Sequence, residues 1–219
     1  MKIAVVAANG RVAKKVIAEA VSRGHEVVAF GRHDENDTQA KIYHKKDILD
    51  LTKEDLAGFD VVVDGFGART AEQQPMHVKT SQYLCDLLSG TDTRLLVVGG
   101  AGSLYVNQEH TAVLSDSPDF PAEFLPVARA QGEELAKLRE RNDVKWTFIS
   151  PAADFQATAS ARASISSPVN NSRSTAGTSR SSPTPTTPSP WSTRLRAAST
   201  SSSASPSSAR NLPSPPTFP

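Results

Sequence analysis

The stretch Ile3-Ala4-Val5-Val6-Ala7-Ala8-Asn9-Gly10-Arg11-Val12-Ala13-Lys14-Lys15-Val16-Ile17-Ala18-Glu19-Ala20 decides the fold. Ile3 to Ala7 is an almost unbroken apolar run with β-branched residues, the composition of a parallel strand buried on both faces. After Gly10, residues Val12, Ala13, Val16, Ile17 and Ala20 recur at helical spacing, with Lys14, Lys15 and Glu19 on the other side. Gly24 is placed to cap the end of that helix. His25 to Phe30 supplies a second strand, and Gly31-Arg32-His33 turns away from it. The result is a β-α-β unit, whose right-handed crossover makes the two strands parallel neighbours.

The alternation continues along the chain. Ala40 to Lys46 is a weaker strand, and Thr52 to Leu56 has the pattern of a short capped helix, with Thr52 as cap and Asp55 three residues on. Phe59 to Asp64 is a strand and Ala71 to Leu88 a helix. Arg94 to Val98 is the next strand, followed by Gly99-Gly100-Ala101-Gly102 and a polar loop to about Pro126. Val127 to Asn142 is then a helix with Leu135 and Leu138 facing inward, and Lys145 to Ser150 is a sixth strand. Strands alternating with helices imply an α/β fold: a Rossmann-type, doubly wound parallel sheet in three αβα layers.

The formal net charge of +1 gives no reason to expect a nucleic-acid or membrane partner, but it averages two unlike segments. Residues 1–156 carry 18 basic and all 23 acidic residues, whereas residues 157–219 carry six arginines and no lysine or acid. The latter segment holds 19 Ser, 10 Pro, 9 Thr and 9 Ala in 63 positions, too few large apolar residues to offset the entropy of ordering. The expectation is a folded domain over 1–156 and a disordered tail beyond it. No apolar run approaches the ~18 residues of a membrane helix, and the opening Met1 to Val6 reads as a strand, not a signal peptide. The lone Cys85, set in an apolar stretch, reads as a small buried hydrophobe in a cytoplasmic protein. His25, His33, His44, His77 and His110 lack ligand spacing, so no metal site is expected.

Folds of this kind place a diphosphate at the N-terminus of the helix after the first strand. Backbone N–H groups and the helix dipole favour anions there, and glycines let the backbone come close. The loop here, Ala7-Ala8-Asn9-Gly10-Arg11-Val12-Ala13, keeps only the middle glycine of G-x-x-G-x-x-G. A non-glycine at Ala7 in a positive-φ conformation costs on the order of 1 kcal/mol. At the end of the second strand an acid would bond the adenosine ribose, whereas an arginine accommodates a 2′-phosphate. The chain has Arg32 there and Arg11 in the loop, which favours NADP(H) over NAD(H).

Residues 1–156 resemble the NmrA-like, atypical short-chain dehydrogenase group, and within it the small bacterial proteins named NADH-flavin reductases. The resemblance rests on the loop Ala7–Ala13, on Asp47-Ile48-Leu49-Asp50-Leu51-Thr52 and on Val61-Val62-Val63-Asp64-Gly65-Phe66-Gly67. It rests further on Arg94-Leu95-Leu96-Val97-Val98-Gly99-Gly100-Ala101-Gly102-Ser103-Leu104 and on Trp146-Thr147-Phe148-Ile149-Ser150-Pro151. The resemblance implies that Asp47 and Ile48 flank an adenine and that Gly65, Phe66 and Gly67 pass the adenosine ribose. It implies too that Gly99, Gly100, Ser150, Pro151 and Ala152 border the nicotinamide. Ser103 is a candidate to bond a nicotinamide or flavin carbonyl. Ala7 and Ala13 depart from the group, which has glycine there.

The wider superfamily uses Tyr-x-x-x-Lys, in which the lysine lowers the tyrosine pKa. Here Tyr105 is followed four residues later by Glu109, whose charge acts in the opposite direction. Hydride transfer to a flavin such as FMN or FAD needs less, since the flavin is its own electron sink and the protein mainly aligns two rings. The missing pair also fits a non-catalytic NAD(P)-sensing regulator of the NmrA type, or an inactive truncated copy.

Residues 157–219 also read as a frameshift. Restoring each codon from one free base and the first two bases of the next residue's codon turns TC-type serine into Phe, Leu, Ile or Val, proline into a small residue, and threonine into Tyr, His, Asn or Asp. Ser182 to Arg194 then permits ISYADYAIAMVDE, of the kind the resembling family carries near its end; Thr158 to Ser167 permits NGERTGEYIL, and Thr200 to Ser208 permits HIIQRISVV. The alternative is a genuine Ser/Pro-rich tail.

Overall fold

The computed structural model describes residues 1–68 and 70–152. The expected tail, 157–219, lies outside the described residues. Six strands, β1 (Lys2–Val6), β2 (Glu26–Gly31), β3 (Ile42–Lys45), β4 (Val61–Asp64), β5 (Arg94–Val98) and β6 (Lys145–Ile149), form one sheet in the order β3-β2-β1-β4-β5-β6. Every neighbouring pair is parallel. The chain winds outward from β1 to β3 and then returns to the other side of β1 as β4. This is the doubly wound α/β arrangement read from the sequence, and it opens a crevice at the carboxyl ends of β1 and β4.

Helix α1 (Arg11–Ser22) covers one face, where Ala13, Val16, Ile17 and Ala20 pack on Ile3, Val5, Val61 and Val63. Helices α2 (Met76–Leu88) and α3 (Leu125–Arg139) cover the other, where Leu84, Leu88 and Leu138 pack on Val6, Val62, Leu95 and Val97. These are the three layers. Gly24, at φ +75°, closes the end of α1 as its position suggests. Cys85 is fully buried, and burial pushes its thiol up to about 12, so it is an inert part of the core.

Several elements differ from the sequence reading. Residues 52–56 make turns, not a helix. Thr52 N–H donates to Asp55 Oδ2 at 2.7 Å, and Asp55 N–H to Thr52 Oγ1 at 3.4 Å. Gly58, at φ +72°, ends the segment before a costly helical nucleus can propagate. A single 3₁₀ turn forms earlier instead, at Ile48–Asp50, capped by Asp47. Helix α2 starts at Met76, not Ala71, because Pro75 has no N–H and breaks the ladder from Ala71. Helix α3 starts two residues before the expected Val127, with Pro126 accepted in its first turn. Leu138 is buried and Leu135 half-buried, but Glu134 is also buried, which apolar periodicity does not anticipate.

Candidate functional site

The mouth of the crevice is built by the link from β1 to α1. Ala7 turns the chain at φ +51°, Gly10 N–H donates to Ala7 O at 3.0 Å, and Lys14 N–H donates to Gly10 O at 2.9 Å. A Cβ on Gly10 would lie 3.3 Å from Ala7 O and 3.4 Å from Gly65 O, so a larger residue there would meet both loops at tight contact. No side chain caps α1 at Gly10, and its first turn holds no acid. Its leading N–H groups and the positive end of its dipole are left for an outside anion. Ala13, in the third glycine position, stands against Gly65, where an added Cβ would come within 2.9 Å of its own.

Asn9 ties this mouth to the loop after β2. Its Nδ2 donates to Asp37 Oδ1 at 2.7 Å, and the Tyr43 hydroxyl reaches its Oδ1 at 3.2 Å and His33 O at 2.9 Å. Lys14 Nζ meets Asp37 Oδ2 at 2.5 Å, and this bond holds the Asp37 carboxyl below its usual range. The Asn9 side chain fills the space beside Gly31, where a Cβ would sit 2.1 Å from its Oδ1. Arg32 is 71% exposed, with its Nε 3.7 Å from Asp47 Oδ2. Asp47 Oδ1 accepts from Leu49 N–H at 3.2 Å, which fixes the turn that presents Ile48.

These parts enclose a cleft of about 610 Å³. Ala7, Asn9, Gly10, Arg11 and Val12 form its mouth, and Arg32, Asp47 and Ile48 one end. Gly65, Phe66, Gly67 and Gly99 form its wall towards β4 and β5. Lys46, Gln73, Met76, Thr80 and Gln131 also line it and were not found from the sequence; the last four belong to no glycine loop or strand end. Beyond Gln131 a second cavity of about 500 Å³ opens, with Gly100, Pro151 and Ala152 in its wall beside Leu114, Phe120, Phe124 and Val127. Gln131 borders both spaces.

Two expected residues line neither space. The hydroxyls of Ser103 and Ser150 lie 2.8 Å apart, and Ser103 Oγ also reaches Gly100 O at 3.0 Å. Both serines are buried, so their polar groups fasten the loop after β5 to the end of β6. The Ser103 hydroxyl, a candidate partner for a ring carbonyl, is thus engaged within this loop. Tyr105 is also absent from both walls; its hydroxyl accepts from Arg139 Nη2 at 2.8 Å, and its ring stacks on His110.

The family model for NAD(P)H-binding proteins matches residues 7–181. The chain belongs to the NAD(P)H-binding family. This family member is 43% identical over 157 residues to the uncharacterised protein YwnB of Bacillus subtilis, covering 71% of the chain and 73% of the relative. It is 52% identical to a solved Streptococcus pneumoniae protein provisionally named an NADH-flavin reductase, with a TM-score of 0.71 over 74% of the chain and 76% of that protein. A Listeria monocytogenes structure is 37% identical, with a TM-score of 0.55 over 71% of the chain and 82% of its own. Glycine-poor as its loop is, the chain keeps Gly10 beside the Gly65 carbonyl and leaves the start of α1 without a side-chain cap. No helix among its described residues is long and apolar enough to cross a membrane.

Proposed function

We propose that the chain is an NAD(P)H-dependent oxidoreductase of the flavin-reductase type, passing hydride from a bound dihydronicotinamide to a flavin-like acceptor. The carrying observation is the junction at Gln131, where the dinucleotide cleft runs into an apolar cavity. Asp47 and Ile48 would face the adenine, Gly65 to Gly67 the ribose, and Gly99, Gly100, Pro151 and Ala152 the nicotinamide. The acceptor ring would lie against Phe120, Phe124 and Val127. The hydride adds to the flavin, the nicotinamide becomes aromatic, and the remaining proton comes from water. Such a transfer needs no tyrosine–lysine pair, and Tyr105 is engaged elsewhere. The reducing cytoplasm suits the single buried Cys85.

NADPH is the preferred donor in this reading, because Arg32, paired at 3.7 Å with Asp47, and Arg11 are both exposed on the cleft where a 2′-phosphate would lie. Calorimetry with NADPH and NADH, followed by NADPH oxidation with and without FMN, tests the whole proposal. Binding with turnover is expected. Binding without turnover favours a non-catalytic sensor, and no binding by folded protein removes the reading. Arg32→Ala is expected to weaken NADPH by about tenfold while leaving NADH within about twofold.

We also infer that residues 157–219 are read out of frame. The relatives share about three-quarters of their length with this chain, and what remains on both sides is of similar extent. The family match runs on to residue 181, so the inference rests on the three regrouped segments and on this coverage. The coding DNA tests it: a restoring insertion or deletion near codon 157 is expected.

A further inference from the structure

Asp64, His77 and Glu134 are each about 1% exposed and come together from β4, α2 and α3 beneath the cleft. Asp64 Oδ1 accepts from Phe66 N–H at 2.9 Å, and Ala68 N–H donates to His77 Nε2 at 3.4 Å. These two bonds hold the 65–68 loop that lines the cleft, and the Phe66 ring meets His77 edge-on. Because Nε2 accepts, the imidazole proton sits on Nδ1, which lies 3.5 Å from Glu134 Oε2. Among the described residues, two carboxyl oxygens, Asp64 Oδ2 and Glu134 Oε2, are buried without a hydrogen-bond partner. Two anions so placed strongly disfavour each other, and a proton on either oxygen relieves both the desolvation and the repulsion. Burial accordingly lifts Asp64 to about 7, with the Glu134 charge adding to the rise, and lifts Glu134 to about 8. Burial lowers His77, so the ring is neutral.

We propose that Asp64 and Glu134 form a proton-binding site coupled to the cleft, and that entry of a dinucleotide's diphosphate draws a proton onto this pair. The coupling is geometric. Asp64 immediately precedes Gly65, whose carbonyl closes on Gly10 at the mouth. Phosphate anions brought there disfavour a carboxylate next to them, and by linkage the ligand is held more tightly where the proton is available. The proposal rests on the cofactor reading of the cleft.

Among the described residues, the surroundings isolate the pair. From α2 it is faced by His77, by the Ser81 hydroxyl that bonds Glu134, and by Cys85, which stays protonated. The adjoining residues of β1 and β5 in this layer, Val6, Leu95 and Val97, are aliphatic. Asp86, Arg141 and Asp143 pair with one another further along α2 and beyond α3. Arg11, Arg32, His33, Lys46 and Asp47 lie at the mouth and the adenosine end. Among the described residues no group of three or more acids, histidines and cysteines has metal-binding geometry.

Calorimetric titration of the full chain with NADH, which lacks the titrating 2′-phosphate, tests the proposal. Repeating it at about pH 7.5 in buffers of different ionisation enthalpy gives the number of protons exchanged. Uptake of about 0.3 to 0.7 proton per NADH is expected, with a maximum near neutrality. Asp64→Asn, which removes the carboxyl next to the mouth, should diminish it, and Glu134→Gln should move the maximum to lower pH by about one unit, because the remaining carboxyl then faces one anion fewer. Saturable binding without proton uptake overturns the coupling and leaves the cofactor reading intact. Undiminished uptake in both folded variants overturns it as well. If the variants do not fold, the wild-type pH series still decides: uptake rising steadily towards pH 6 assigns the proton to a histidine. Absence of saturable heat removes the cofactor reading and this coupling together.

Discussion

Ala7 holds a φ of +51°, a backbone region where an L side chain is strained and glycine is not. Ala7→Gly should therefore raise unfolding free energy by about 0.5–1 kcal/mol, read as a higher denaturant midpoint, since relief of strain outweighs the extra freedom of the unfolded chain. This strain was legible, because a strand, a turn and a helix fix where glycine is wanted. Asp64 makes a different prediction. Its carboxyl titrates near 4 when unfolded and near 7 when buried, so its contribution to stability is full below about pH 4 and is lost as pH rises through 7. Thermal unfolding of Asp64→Asn across pH 4 to 8 should show a flatter loss than the native chain. Nothing about Asp64 announced burial of its charge. Glu134 shares an i, i+4 stripe with Ala130 and Leu138, both buried, but a charged residue in such a stripe does not itself announce burial.

Between elements, the fit of α1 to β4 is set at one contact. Gly65→Ala would bring a Cβ within 2.9 Å of Ala13 Cβ and 3.2 Å of Val6 O, so strand and helix must part. The expected loss is about 1–3 kcal/mol with weaker dinucleotide binding. Gly58→Ala, which meets nothing within 4 Å, should cost about 1 kcal/mol through its φ alone and leave binding unchanged. Denaturant midpoints and calorimetry on the two variants separate packing from backbone strain. Strand and helix order was readable because apolar period changes from two or continuous to 3.6 at each junction. The turns at 52–56 and the late start of α2 were not, since capping residues mark where a helix can begin without showing that it can continue.

Across the molecule, the site divides by how local its signals are. The mouth and the strand ends are coded by contiguous residues and could be read. Gln131, Thr80 and Met76 reach the cleft from helices distant in sequence, and only the folded sheet brings them there. The Asn9–Asp37–Lys14–Tyr43 network has a consequence for how a ligand comes and goes. It locks two chain segments together before anything arrives, so little ordering remains to be done on association and little is undone on departure. Under the proposed function, a nucleotide on such a pre-tied shelf would be exchanged at every turnover as a travelling reagent. It need not be a permanent fixture. Rapid-mixing fluorescence should show single-step capture whose rate rises linearly with nucleotide concentration, with no slower rearrangement following it.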